Sequence, residues 1–380
     1  MSLSNHQPQH KIALMLPGGG ARGSYQVGVL KGIMSIIAKK DKLFPIITGT
    51  SAGAINAVVL ASYAHDLAQG VRRLEKFWTS IHCHDIYRTN AGTIAKTMAK
   101  VVGSVLFAKL GVHAPRSLLD NTPLQQLLSQ QLHLSQIQQA ITNNHLHGLA
   151  ITASSYDVSV AKTFFQAKAS VQQWQRTRRF GIAEKIEVEH ILASTALPFL
   201  FPAQLIGKEY YGDGGLRMTA PLSPSIHLGA DKILVIGTRD ESAIAPPATV
   251  SEYPSMGELG GYMLDTIFMD TLMADLSRMK RINKTIALLS EEQRGEINLK
   301  PISTLLIKPS IDVREVTQKH AGDIPRPVRT LLKMIGGWGK DWRMPSYLLF
   351  EPGYTKALIA LGYADAMAQK KKICAFLRSD

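Results

Sequence analysis

The chain has 380 residues, 45% of them apolar, and its 43 Lys and Arg against 29 Asp and Glu give a formal charge of +14. That composition excludes general disorder, a collagen-like repeat and a disulfide-dense scaffold. The length allows a full core, either in one large α/β domain or in two to three smaller ones.

Residues 1–10 are polar and the apolar run at 12–16 is too short for a signal core, so no secretory leader is expected. Residues 11–16 read as a short strand and 17–23 as a glycine-rich loop. A helix follows over 27–37, with Val27, Leu30, Ile33, Met34 and Ile37 on one face. Residues 45–49 read as a second strand and 52–63 as a helix of small residues. The stretch 43–64 is uncharged over 22 positions, long enough to span a bilayer. Pro45, Gly49, Thr50, Ser51, Gly53 and Asn56 within it read instead as strand, sharp turn and buried helix, so no transmembrane helix is expected. Alternating strands and helices predict a largely parallel sheet covered on both faces.

Residues 72–116 carry eight Lys and Arg against Glu75 and Asp85. Ile94, Met98, Val101, Val102 and Val105 share a helical face there, with Lys96 and Lys100 opposite. The pattern suits an interfacial helix at an anionic membrane, although packing on the protein's own core is the commoner use of such a face. Residues 1–190 hold 20 basic and 9 acidic residues, while 191–380 hold 23 and 20. This asymmetry suits an anionic partner, membrane surface or nucleic acid, and equally a solvated basic surface that aids solubility. With no zinc-ligand pattern and no RNA-binding aromatic signature, a membrane surface is expected and nucleic acid is not.

Further along, 148–155 and 159–165 read as strands joined by a turn, and 232–237 as a fully apolar strand. Residues 241–254, with three prolines, read as a loop. A long helix is expected over 256–282, burying Leu259, Met263, Leu264, Ile267, Leu272 and Leu276. A last strand is expected at 303–307, and a helix over 353–377 ending near Lys370, Lys371 and Lys372. The cysteines, Cys83 and Cys374, fit no metal or redox spacing and suit a reducing compartment.

Gly49-Thr50-Ser51-Ala52-Gly53 is a G-x-S-x-G between a predicted strand and a helix. A serine on so tight a turn needs flanking glycines, and the helix N-terminus after it favours developing negative charge. Gly18-Gly19-Gly20-Ala21-Arg22-Gly23 directly follows the first strand, and its backbone N–H groups can converge on an oxyanion or a phosphate. The same residues satisfy G-x-G-x-x-G, but a dinucleotide site expects an acid at the end of the next strand. Asp41 precedes that strand and Thr48 and Gly49 close it, so the oxyanion reading fits better. A P-loop is excluded because no Gly-Lys-Ser/Thr follows.

A serine nucleophile needs a base. Of the later histidines, His190, His227 and His320, the sequence around His227 suits a structural role better than a catalytic one. Asp213, in Tyr210-Tyr211-Gly212-Asp213-Gly214-Gly215, stands on a tight turn after an aromatic strand, although Asp-Gly is also a common plain turn.

Taken together these segments, with Ala193-Ser194-Thr195-Ala196-Leu197-Pro198-Phe199-Leu200-Phe201-Pro202, resemble the patatin-like phospholipase family. Four motifs stand in the family's order: glycine-rich loop, G-x-S-x-G, a Pro-containing segment and Asp-Gly-Gly. The resemblance covers residues 11–237, read as the core domain, with 238–380 as a mainly helical extension packing on it. It implies an α/β three-layer fold with a mainly parallel central sheet flanked by helices. It also implies a Ser51–Asp213 dyad in place of a triad, acting through an acyl-enzyme on phospholipids or lysophospholipids. Gly18, Gly19, Gly20 and Ala21, with Ala52, would hold the oxyanion, and Arg22 would lend positive charge. Gly49, Gly53, Gly214 and Gly215 would support the two turns. No metal or other cofactor is implied.

An aspartate with the ordinary pKa of about 3.9 is a feeble base toward serine, so a desolvated setting near Tyr211 is expected to raise it. The resulting expectation is a cytoplasmic enzyme that visits membranes. A lipid- or acyl-binding protein with little turnover, or an acyltransferase or thioesterase, would share every residue named.

Overall fold

The computed structural model describes residues 10–38, 42–106, 117–240, 253–296, 299–339 and 341–378. Its ten strands are β1 (Ile12–Leu16), β2 (Ile46–Thr50), β3 (Gly148–Ser155), β4 (Ala161–Ala167), β5 (Trp174–Arg176), β6 (Arg179–Ala183), β7 (Gln204–Ile206), β8 (Glu209–Asp213), β9 (Lys232–Ile236) and β10 (Ser303–Ile307). All lie in one sheet. Neighbours in the run β10-β9-β1-β2-β3 are parallel, and β4 continues the sheet antiparallel to β3, followed by β6 and β5.

Strand β1 shows why the first apolar run has no polar position. Leu14 and Leu16 face one core, with the helices Gly23–Ile36, Ala52–Ser62 and Pro352–Ala368. Ala13 and Met15 face the other, with Leu272, Leu276 and Met279 of the helix Thr271–Leu288. A strand buried on both faces must be apolar throughout. The class is therefore α/β with a mainly parallel sheet and a helical C-terminal region. The uncharged stretch forms β2, a turn and a buried helix, and among the described residues no helix is long and apolar enough to cross a membrane.

The chain beyond residue 237 is built into this frame. Strand β10 pairs with β9. Pro352–Ala368 lies so close along Gly23–Ile36 that a Cβ on Gly28 would collide with the Ile359 carbonyl, and Tyr25 Oη donates to Asp365 at 2.9 Å.

Two expected helices differ. The one expected over 353–377 breaks at Gln369 into Pro352–Ala368 and Lys370–Leu377. The long one runs as Met256–Asp265, a π turn Thr266–Asp270 and Thr271–Leu288. Leu264, Leu272 and Leu276 are buried as expected, but Leu259 and Met263 face outward, because a π turn rotates the residues before it relative to those after. In the helix Ala91–Leu106, Ile94 is buried and Met98 packs against the core, with Lys96 and Lys100 exposed. The side chains of Val101, Val102 and Val105 lie outside the described residues, as do residues 107–116 and the part of the expected loop from 241 to 252. Both cysteines are free thiols.

Candidate active site

Strand β3 brings Ser51 and Asp213 together. One edge of β3 is occupied by β4 from Gly148 to Ser154. The other edge is shared: β2 runs parallel to it up to Thr50, opposite Thr152, and β8 runs antiparallel down to Asp213, opposite Ala153. Two strand ends therefore meet head to head on a single edge, and Ser51, the residue after β2, stands beside Asp213.

Ser51 has φ 54° and ψ −131°, a conformation that costs a residue with a side chain on the order of 1–3 kcal/mol and persists only where its surroundings fix it. Those surroundings are specific. A Cβ on Gly49 would collide with the Gly53 carbonyl, and one on Gly53 with the Leu16 carbonyl. The Ser51 N–H donates to Ser194 Oγ at 2.9 Å, and Ser194 Oγ donates to the Thr152 carbonyl at 2.7 Å. Asp213 N–H donates to the Ala196 carbonyl at 2.8 Å. The end of the helix Val188–Thr195 thus braces both residues. Ser194 lies in the Pro-containing segment picked out from the sequence, where nothing local showed which residue does the bracing.

Asp213 is fully buried. Its Oδ1 accepts the Gly215 N–H at 2.9 Å, while Oδ2 has no hydrogen-bond partner among the described residues. Burial pushes this carboxyl up to about 7, opposed by the Ser51 hydroxyl and the Gly215 N–H. The Ser51 hydroxyl is thus near enough to act on the carboxyl while leaving Oδ2 without a well-formed bond. The polar residue nearby is Tyr156, whose hydroxyl is raised by its own burial and then by the charge of Asp213. Tyr211, expected in that place, instead bonds Glu209 at 3.2 Å.

The glycine-rich loop leaves β1 beside this pair. Gly20 has φ +55° and begins a short 3-10 turn that leads into the helix Gly23–Ile36. The Arg22 side chain is engaged elsewhere than expected. It is buried, donating from Nη1 to Asp265 Oδ1 at 2.9 Å and to Tyr347 Oη at 3.1 Å. Its Nε and Nη2 donate to Ser346 Oγ at 2.8 and 2.6 Å. Although burial pushes the Asp265 carboxyl up, the charges of Arg22 and Arg239 and the Tyr347 hydroxyl hold it below its ordinary value. The guanidinium therefore ties the glycine loop to the C-terminal region, and its charge is met by Asp265.

None of the three later histidines bonds Ser51 or Asp213. His227 stacks on Trp174 with ring centroids 4.6 Å apart and bonds the Ser223 carbonyl. His190 packs tilted against Phe164, ring centroids 4.4 Å apart, and His320 pairs with Asp323.

A cavity of about 20 Å³ adjoins Ser51, lined by Gly20 and Ala52 and by apolar side chains that include Ile55, Phe77, Trp78, Leu197, Phe201 and Phe350. It has room for about one water molecule. Its walls are mostly apolar.

A family model for patatin-like phospholipases matches residues 14–226. A cGAMP-activated phospholipase of Vibrio cholerae is 26% identical over 262 aligned residues, covering 63% of this chain and 67% of that protein. Among solved structures, VipD of Legionella pneumophila aligns with TM-score 0.38 and 13% identity, over 96% of this chain and 67% of that one. Human GIVD cytosolic phospholipase A2 aligns with TM-score 0.43 and 11% identity, over 97% of this chain and 59% of that one.

Proposed function

The chain belongs to the patatin-like phospholipase family and is a lipid ester hydrolase, and on that premise we propose that Ser51 and Asp213 are its catalytic dyad, acting on membrane phospholipids or lysophospholipids. Ser51 Oγ attacks the ester carbonyl carbon and gives its proton to Asp213 Oδ2. The oxyanion is held by backbone N–H groups of the loop Gly18, Gly19, Gly20 and Ala21, and by that of Ala52. Asp213 then protonates the departing alcohol, leaving acyl-Ser51. Water attacks the acyl group, its proton passes to Asp213, and the fatty acid leaves as Ser51 recovers its hydrogen. The core and extension act as one unit, divided near residue 237.

The supporting observation is the buried, partnerless Oδ2 of Asp213 next to Ser51. An aspartate at its ordinary value is a poor acceptor for a serine proton, whereas one near 7 is both substantially ionised at neutral pH and far more basic. The apolar character of the side chains beside Ser51 suits the neighbourhood of an acyl chain. The basic residues between 72 and 116 suit contact with anionic lipid, at about 1 kcal/mol for each one near the surface.

Turnover requires ionised Asp213, so kcat/KM for an ester substrate is expected to rise with pH along a limb centred near 7 and to level off above it. A profile already flat from pH 5 upward would show that the base is not this carboxyl.

A further inference from the structure

The oxyanion donors proposed for Ser51 come from two separate pieces of chain. One is the loop from Gly18 to Ala21, and the other is the N–H of Ala52, which opens the helix Ala52–Ser62. Such donors stabilise an oxyanion only within about 2.7–3.1 Å of it, so the loop and the helix have to keep a fixed separation. Packing brings them together: a Cβ on Gly23, where the loop ends, would stand 3.0 Å from Ala52 Cβ. Apolar contact is not directional, however, and does not by itself set a register.

Three buried polar side chains, Gln26, Asn56 and Trp78, span the junction. Gln26, on the helix Gly23–Ile36, donates from Nε2 to the Pro17 carbonyl at 2.8 Å, where the chain leaves β1 for the loop, and to the Ile236 carbonyl at 3.2 Å. Asn56, one turn beyond Ala52, donates from Nδ2 to the Gly23 carbonyl at 3.1 Å and to Gln26 Oε1 at 2.9 Å. Trp78 Nε1 donates to Asn56 Oδ1 at 2.8 Å. Every donor and acceptor of the two amides is therefore used. Turning the Asn56 amide over would set Nδ2 against the Trp78 N–H, donor against donor, so its orientation is determined. For stability alone, apolar residues of the same shape would serve nearly as well. What the amides add is direction, because they bond the carbonyls at both ends of the glycine loop.

We propose that Asn56, acting with Gln26, is a positioning residue of the reaction: it clamps both ends of the glycine loop to the helix headed by Ala52 and so fixes the spacing of the two halves of the oxyanion hole. The inference rests on the Ser51–Asp213 reading and adds the residues that hold the donor geometry. The hydrogen bonds of both amides run to backbone carbonyls, to each other and to Trp78, and none runs to Ser51 or Asp213. Loss of the clamp therefore leaves the nucleophile and its base in place and lets the donors drift. A displacement of about 1 Å costs roughly a hundredfold in rate, and it falls on the transition state, so kcat drops while KM holds.

The test follows hydrolysis of a soluble short-chain p-nitrophenyl ester by the wild type, Asn56→Leu, Asn56→Asp and Thr317→Val, at a temperature where circular dichroism shows each one folded. Asn56→Asp keeps an oxygen for Trp78 and loses the Nδ2 donor, so it decides the matter even if Asn56→Leu does not fold. Thr317→Val is the control, removing a buried hydrogen bond, 2.8 Å to the Val313 carbonyl, that lies outside the loop and its clamp. Both Asn56 variants are expected to lose about a hundredfold in kcat with KM within about twofold and the pH limb unmoved, while the control stays within about twofold of wild type. Wild-type kcat in Asn56→Asp, or an equal loss in Thr317→Val, would overturn the proposal and leave the dyad standing. So would a displaced pH limb, which would put the effect on Asp213 and not on the oxyanion donors. Undiminished hydrolysis by Ser51→Ala would instead remove the dyad itself, and the proposal with it.

Discussion

Asp213→Asn is expected to lower turnover by about three to four orders of magnitude, the usual scale for removing a base from a serine nucleophile, while making the folded protein more stable above pH 7. The two effects share one cause. Burial raises the Asp213 carboxyl from its ordinary 3.8 to about 7, so in that interval the folded chain holds a proton that the unfolded chain has released. Stability therefore falls as pH rises from about 4 to about 7, and the full penalty, roughly 4 kcal/mol, persists at higher pH. Asparagine keeps the shape and an acceptor for the Gly215 N–H but never ionises. Thermal melts of variant and wild type should thus separate at pH 8, with the variant higher, and converge toward pH 4. A pH-independent gap would contradict the buried-carboxyl account of stability, and retained turnover would move the base to another group.

Arg22→Met is expected to cost about 3 kcal/mol of stability, the low end for removing one partner of a buried ion pair. The low end applies because Asp265 would keep Arg343 at 3.1 Å and Arg239 at 3.7 Å. Arg22→Lys should recover little, since one ammonium cannot span Asp265 and Ser346 as the planar guanidinium does. Urea unfolding of the three proteins measures this directly. A loss below 1 kcal/mol for Arg22→Met would show that the C-terminal region is held to the glycine loop by other contacts.

The contrast between these two residues shows what a sequence discloses. The frame was readable because its physics is local: β1 and β9 are short, largely apolar runs, and the turn at Ser51 needs glycine on both sides. Asp213 stands out as a candidate from its glycine-flanked turn and from the order of the four motifs. Its closeness to Ser51 was not readable, because that depends on β2 and β8 sharing one edge of β3. Arg22 reads as a cation beside an anion site, yet its partner Asp265 lies 243 residues further on, and no local pattern marks such a pair. Leu259 and Met263 fit a buried stripe on an ideal helix, and the π turn that exposes them leaves no signature in apolar spacing. Phe268 likewise reads as one more core residue, and its packing against Gly18 and Gly215 emerges only once the chain is folded.

The most direct measurement is the intact mass of the protein after exposure to a fluorophosphonate in the presence of anionic vesicles, comparing the wild type with Ser51→Ala. The wild type is expected to gain the mass of a single adduct and the variant none. An adduct formed in equal yield on Ser51→Ala would contradict the assignment of Ser51 as the nucleophile.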